Sequence, residues 1–241
     1  MKKAKHILRI CLLLLMTSSC KAKKEIQLFD GQTLYGWEGS KTDIRIENGV
    51  IIGGNLEKKL DNDFYLCTTE AYSNFELTLS ARLIYNDIMN ANAGVYFRAK
   101  RTKPHKVGGY EADIGFIKPS VITRNTDYSP VDLNKPFSLW GSLLDECRAD
   151  TSRYPDPDWY PGVGLKLPKR ELIHKLVKPY DWNEMSIIAI GKDIEIKVNG
   201  ITTIQYTEKD DVASKGVICL QAHSGAPYEV HYKNINIKKI E

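Results

Sequence analysis

No Cys-x-x-Cys pair and no zinc-type spacing occur in this chain of 241 residues, which removes the usual redox and structural-zinc motifs from consideration. There is no internal repeat and no low-complexity linker, so a solenoid or a string of domains has nothing to rest on. Helical periodicity is scarce as well. Glu171 to Val177, with Leu172 and Leu176 four apart, is the single fair helix candidate, and it is short.

Net charge is also missing once the N-terminus is set aside. Lys2, Lys3, Lys5 and Arg9 precede an apolar run from Ile10 to Met16, too short to span a bilayer, and Thr17-Ser18-Ser19-Cys20 follows. This pattern is that of a secretory signal, and Cys20 after small residues resembles the lipidated cysteine of a bacterial lipobox. Residues 1–19 are therefore expected to be a signal peptide, 20–25 a lipidated Cys20 with its tether, and 26–241 the folded domain. Without the four basic residues of the signal, 30 basic residues face 30 acidic ones, and the case for a nucleic-acid partner loses its support. The expected place is the cell envelope, with membrane attachment through the lipid only, or secretion. Besides Cys20, Cys67, Cys147 and Cys219 remain, so one disulfide or free buried thiols are both open.

What is present is β-structure. Phe75, Leu77, Leu79, Ala81 and Leu83 share one parity and Glu76, Thr78, Ser80 and Arg82 the other, the pattern of a half-buried strand. Asn48-Gly49 and Asn199-Gly200 each separate two apolar runs, as type I′ hairpin turns do. The return strand from Ile201 to Tyr206 loses its phase, which points to a bulge. Ten to twelve short strands with almost no helix predict an all-β sandwich or barrel, best a two-sheet jelly roll. Between residues 116 and 170, Pro119, Pro130, Pro136, Pro155, Pro157, Pro161 and Pro168 predict long irregular loops of the kind that build or cover a site.

Two strands carry charge where a sandwich core would be apolar. In Gly109-Tyr110-Glu111-Ala112-Asp113-Ile114-Gly115, Glu111 and Asp113 project from one face, and Asn92 to Arg98 runs just before. The same carboxylates could instead lie on an ordinary solvated sheet face.

These stretches belong to a larger ordered set: Asp30-Gly31 through Gly36-Trp37, Asn74-Phe75-Glu76-Leu77, Trp140-Gly141-Ser142-Leu143-Leu144-Asp145-Glu146, Asp181-Trp182-Asn183-Glu184, Ile218 to Gly225 and Tyr232-Lys233-Asn234-Ile235. Over about residues 26–240 the set resembles the 3-keto-disaccharide hydrolase domain family. That resemblance implies a concanavalin-like jelly roll acting on glycosides whose sugar C3 is already a ketone. In such a substrate the C2 proton is acidic. A base removes it, the enolate expels the aglycone from C1, and water adds back. Glu111, Asp113 and Glu146 are then the candidates for base and acid, and Arg98 for a clamp on the enolate or a hydroxyl. Asn92, Tyr110, Trp140, Gln221 and His223 join them as candidate substrate contacts. Tyr110 and Trp140 could stack on a sugar or pack in the core, and Trp37 and Trp182 are expected in the core. Asp145 and Glu146 with Asp113 offer oxygen ligands for a calcium-like divalent cation, or a solvated acidic pair. A lectin-like carbohydrate-binding module without catalysis and a structural envelope protein are the competing functions.

Overall fold

The protein is described here by a computed structural model covering residues 25–39, 42–86, 91–103, 105–117, 137–148 and 163–241. The signal segment, Cys20 and six of the seven prolines of the expected long loops, all but Pro168, lie outside these residues.

Among the described residues, sixteen strands and one helix follow in order: β1 Ile26–Gln27, β2 Trp37–Gly39, β3 Ile44–Glu47, β4 Val50–Asn55, β5 Phe64–Thr68, β6 Phe75–Tyr85, β7 Asn92–Lys103, β8 Lys106–Ile117, β9 Phe137–Ser138, β10 Leu143–Glu146, β11 Val163–Lys166, α1 Arg170–Leu176, β12 Asn183–Ile190, β13 Asp193–Val198, β14 Ile201–Thr207, β15 Val217–Ala222 and β16 Tyr228–Lys239. They form two antiparallel sheets, the jelly-roll sandwich that the strand pattern predicts. One has the order β14-β13-β12-β6-β16-β4-β3, the other β11-β10-β8-β7-β15-β5-β2. The count exceeds ten to twelve because β1, β2, β9, β10 and β11 have two to four residues, too few to show a period. Three of these, β9, β10 and β11, fall inside the stretch expected to be irregular.

The hairpins form as the sequence directs. Asn48 and Gly49 have φ of 51° and 75°, Asn199 and Gly200 of 49° and 80°, the left-handed values a type I′ turn requires. Asn199 does more than turn. Its side chain donates to Leu176 O at 2.7 Å and to Asn183 Oδ1 at 2.9 Å, so it ties the end of α1 to β12. The β13–β14 ladder shifts register between Ile196 and Lys197, the bulge expected there.

Inward-facing residues of the two sheets make one core: Leu77, Leu79 and Ala81 from β6 and Ile235 and Ile237 from β16 meet Val95 and Phe97, Tyr110, Ala112 and Ile114, and Leu220. Two tyrosines of β16 cross that core. The Tyr232 hydroxyl donates to Gln221 O at 2.7 Å and Gly94 O at 3.2 Å, and Tyr228 donates to His223 O at 3.0 Å and to Asn92 O. The adjacent backbones of β7 and β15 are thereby pinned from behind. Cys67 and Cys219, paired across β5 and β15, form a disulfide on the outward face of the same sheet, and Cys147 is a free thiol.

Candidate active site

Alternation places Tyr110, Ala112, Ile114 and Phe116 of β8 in the core, so Glu111 and Asp113 project from the other face of the sheet. They are nevertheless buried, 3% and 1% exposed. Glu111 pairs across with Tyr96 of β7 and Leu144 of β10, Asp113 with Gly94, and Glu146 of β10 with Gly109. Glu146 thus shares the face of Glu111 and Asp113, which stand about 7 Å apart along one strand.

Gly94 makes room for this arrangement. A Cβ there would fall 1.9 Å from Glu111 Oε1 and 2.7 Å from its Cδ, so the carboxyl group lies directly over the glycine. Gly115 does the same for Asn92, whose Oδ1 lies 2.1 Å from where a Cβ would be. Among the described residues, four buried acceptor oxygens on this face have no hydrogen-bond donor: Asn92 Oδ1, Glu111 Oε1, Asp113 Oδ1 and Gln221 Oε1.

Burial governs the electrostatics. It pushes Glu111 and Asp113 well above the ordinary carboxylate range, and Asp113, Glu146 and Asp63 raise Glu111 further by repulsion. Burial, then Asp113, Asp145 and Asp63, push Glu146 up to about 8. Like charges this close in a desolvated site do not all ionise at neutral pH, so the cluster holds at least one protonated carboxyl.

Beside the carboxylates runs a string of polar groups that residue spacing did not reveal. Gln221 Nε2 donates to the hydroxyls of Tyr65 and Tyr96, each at 3.2 Å. Tyr96 stands opposite Glu111 in the β7–β8 ladder and draws its pKa down, against the effect of burial. On the other side the Tyr65 hydroxyl reaches Asp63 Oδ2 at 3.4 Å. Asp63 Oδ1 accepts from Ser224 N at 2.8 Å and lies 3.8 Å from Nδ1 of the half-exposed His223.

Several expected site residues lie elsewhere. Arg98 does not join the carboxylates. It sits in the β7–β8 bulge with φ of 48°, which breaks the alternation and turns the side chain toward the opposite sheet. There its guanidinium donates to Ser73 O at 3.1 and 3.0 Å and to Gly191 O at 2.8 Å. Tyr110 and Trp140 are both 1% exposed and belong to the core. Tyr110 stacks on Phe97 with ring centroids 5.2 Å apart and donates to Glu208 Oε2 at 2.6 Å, so neither ring faces a sugar. Asp145 has the parity opposite to Glu146 and is bound by Arg148, at 3.2 Å to its Nε and 2.9 Å to its backbone N–H. The oxygen trio Asp113, Asp145 and Glu146 is therefore not assembled, and among the described residues no group of three His, Cys, Asp or Glu is placed to hold a metal ion. Trp37 is core, but Trp182 is not. It lies half-buried on the outer face of the other sheet, with Lys233 Nζ 4.0 Å and Arg82 Cζ 4.6 Å from its ring centroid.

Residues 24–238 match the model of the 3-keto-alpha-glucoside-1,2-lyase-like domain family. The chain belongs to this family. No curated protein matches it. Among solved structures it is similar to a protein of Parabacteroides distasonis assigned as a glycosyl hydrolase, with TM-score 0.60 and 18% identity over 90% of this chain and 94% of that one. It is similar also to the carbohydrate-binding module CBM66 of Bacillus subtilis, with TM-score 0.51 and 14% identity over 85% and 96%. A third is the exoplasmic domain of VIP36 in its Ca2+/Man3GlcNAc-bound form, with TM-score 0.56 and 8% identity over 89% and 88%. At these identities the likeness is one of fold.

Within this lyase-like domain, Asn92, Glu111, Asp113, Glu146, Gln221 and His223 are the expected residues that the strands bring to one sheet face. Asp63, Tyr65, Tyr96 and Gly94 are the residues that motif reading left out. Tyr65 and Tyr96 read as ordinary strand aromatics. The one available signal was parity: Tyr96 shares the face of Asn92 and Gly94, and Gly94 interrupts it where a neighbouring side chain must pass.

Proposed function

We propose that this domain cleaves 3-keto-glycosides by removing the C2 proton and eliminating the aglycone from C1. The observation that carries the reading is the convergence of Glu111, Asp113 and Glu146 on one buried sheet face, with acceptor oxygens that lack donors. A polyhydroxylated ligand supplies such donors. In the first step an ionised carboxylate takes the C2 proton, and the C–H electron pair passes into the enolate of the C3 ketone. The enolate then re-forms the ketone and a C1=C2 double bond as the C1–O bond breaks. The departing oxygen takes the proton of a neutral carboxyl group, and Glu146, protonated below pH of about 8, fits that part. Water adding across C1=C2, hydroxyl to C1 and hydrogen to C2, completes a net hydrolysis. Glu111, with one oxygen free of donors and lying over Gly94, fits the base. Asp113, two residues further along β8 from Glu111, is left as a partner for a sugar hydroxyl.

A lectin-like binding module would present aromatic rings to the ligand and hold its acids apart. Here the acids are together, and the two rings expected to stack are in the core. On the sequence of residues 1–20, the same reading puts the domain in a bacterial cell envelope, tethered through Cys20 or secreted. The test is turnover of a 3-keto-disaccharide against its unoxidised parent. Turnover of the ketone alone is expected. Turnover of the parent alone overturns the elimination in favour of an ordinary glycosidase, and turnover of neither, with binding retained, favours the module.

A further inference from the structure

Glu111 and Glu146 project from neighbouring strands, and the register sets their spacing. Glu111 faces Leu144, and Glu146 lies two residues further along β10, so the two are diagonal neighbours about 7–8 Å apart. In a glycoside C2 and the leaving oxygen are two bonds apart. A base on the one and an acid on the other, each at a contact of about 3 Å, fill that span. Glu146 is the last residue of β10, where a strand frays unless something ties it down.

The tie lies under the sheet. Asp145 pairs with Tyr110 on the core side, between the positions of the two glutamates. Glu208, the residue after β14 of the opposite sheet, reaches this pair and is 4% exposed. Its Oε2 accepts from the Tyr110 hydroxyl at 2.6 Å and lies 2.9 Å from Arg148 Nη1. Its Oε1 is fixed by the backbone N–H groups of Lys209 and Asp210, each at 2.8 Å. Arg148 Nε is 3.2 Å from Asp145 Oδ2, Nη2 donates to Asp210 Oδ2 at 3.0 Å, and the Arg148 backbone N–H donates to Asp145 Oδ1 at 2.9 Å. The Nε and Nη1 contacts are ion pairs without the alignment of hydrogen bonds. Glu146 and Cys147, the latter with φ of 55°, make the corner that these contacts close. That corner is seated on Gly108 of β8, where a Cβ would fall 2.8 Å from Cys147 O.

We propose that Glu208 is a positioning residue: from the opposite sheet it ties Tyr110, the neighbour of Glu111, to Arg148, two residues past Glu146, and so fixes the distance between the two glutamates. It acts only through these partners, since it meets β8 from the core side. Asp145, Glu208 and Asp210 share one guanidinium, so loss of the Glu208 charge leaves Arg148 paired and the fold intact.

The catalytic meaning of this tie rests on the elimination reading, but one arm of its test does not. Glu208→Gln keeps an acceptor for Tyr110 and drops the ion pair, whereas Tyr110→Phe keeps the ring and drops the hydrogen bond. Arg98→Ala serves as a destabilised control away from the site. Thermal melting shows which variants are folded, and Tyr110→Phe carries the test if Glu208→Gln is not. On a 3-keto-disaccharide each variant is expected to lose about 10- to 100-fold in kcat with KM within about twofold of the parent, the scale of a reacting group displaced by an ångström. The double variant should lose no more than the worse single one, because both break one tie. Without substrate, NMR titration of the domain labelled with 13C at glutamate Cδ, assigned through Glu146→Gln, should show Glu146 moving from about 8 toward the ordinary carboxylate range as the freed corner admits water. Arg98→Ala should leave that titration in place. If Glu146 titrates in the folded variants as in the parent, or kcat falls no further than in Arg98→Ala, the assignment is wrong. If the parent turns over no 3-keto-glycoside, the proposed reaction falls and the titration alone decides the assignment.

Discussion

The carboxyl of Glu111 rests on the α-carbon of Gly94, with its Oε1 1.9 Å from the place any β-carbon would take. Strand β7 therefore carries a glycine because the side chain of the neighbouring strand needs the space. Gly94→Ala is expected to leave the fold intact, since the far end of the glutamate can swing aside. It should lower kcat/KM by about 100-fold, the scale set by displacing a reacting group by an ångström. Unchanged turnover in Gly94→Ala would show that the orientation of Glu111 is immaterial.

Glu146 links the site to pH. Its pKa is raised from 4.5 to about 8 in the folded protein, so the folded state holds a proton that the unfolded chain has lost. Stability must then fall as pH rises between about 4.5 and about 8, and level off above that range. Urea titrations between pH 5 and 8.5 should show this slope, and Glu146→Gln should make it shallower, the rest coming from Glu111 and Asp113, which burial raises in the same direction. The same variant should lose the descending limb of the activity profile near pH 8 together with most of the rate.

Arg98 is a clamp rather than a ligand. It holds Ser73 and Gly191 at the rim of the other sheet, and its removal leaves their two carbonyls without this charged donor. Both residues are exposed, so water can take the donor's place, and Arg98→Ala should destabilise by about 1–3 kcal/mol and lower the melting temperature correspondingly. Affinity for substrate, measured well below the melting range, should be that of the parent protein. A weakened substrate affinity with unchanged melting would return Arg98 to the site.

The architecture was legible because β6, β12 and β13 alternate cleanly and two Asn-Gly pairs set hairpins. Glu111 and Asp113 were legible for the same reason, as charges sharing one parity of a strand. Arg98 was misplaced because the parity rule fails at a bulge, and a single residue with φ of 48° sends its side chain to the wrong sheet face. Tyr110 and Trp140 were ambiguous because an aromatic ring suits a core and a sugar equally well. The Tyr65–Gln221–Tyr96 string was not legible at all. It is assembled from β5, β7 and β15, and only their pairing brings positions 65, 96 and 221 together.

Two of those strands, β5 and β15, are joined by the Cys67–Cys219 disulfide, which closes 152 residues. Reduction is expected to cost about 2–5 kcal/mol of stability. Under non-reducing conditions peptide mapping should find Cys67 linked to Cys219 and Cys147 free to alkylate, its thiol pushed up to about 11 by burial and therefore slow to react at neutral pH. A link through Cys147 would contradict the register of β5 and β15.

The most direct measurement uses a 3-keto-disaccharide deuterated at C2. If a carboxylate of this site removes that hydrogen, turnover should slow several-fold on deuteration, and in Glu111→Gln the deuterium should remain at C2 with turnover largely lost. Equal rates for the two isotopes under conditions where chemistry limits turnover, with Glu111→Gln still active, would contradict proton abstraction at C2 by this cluster.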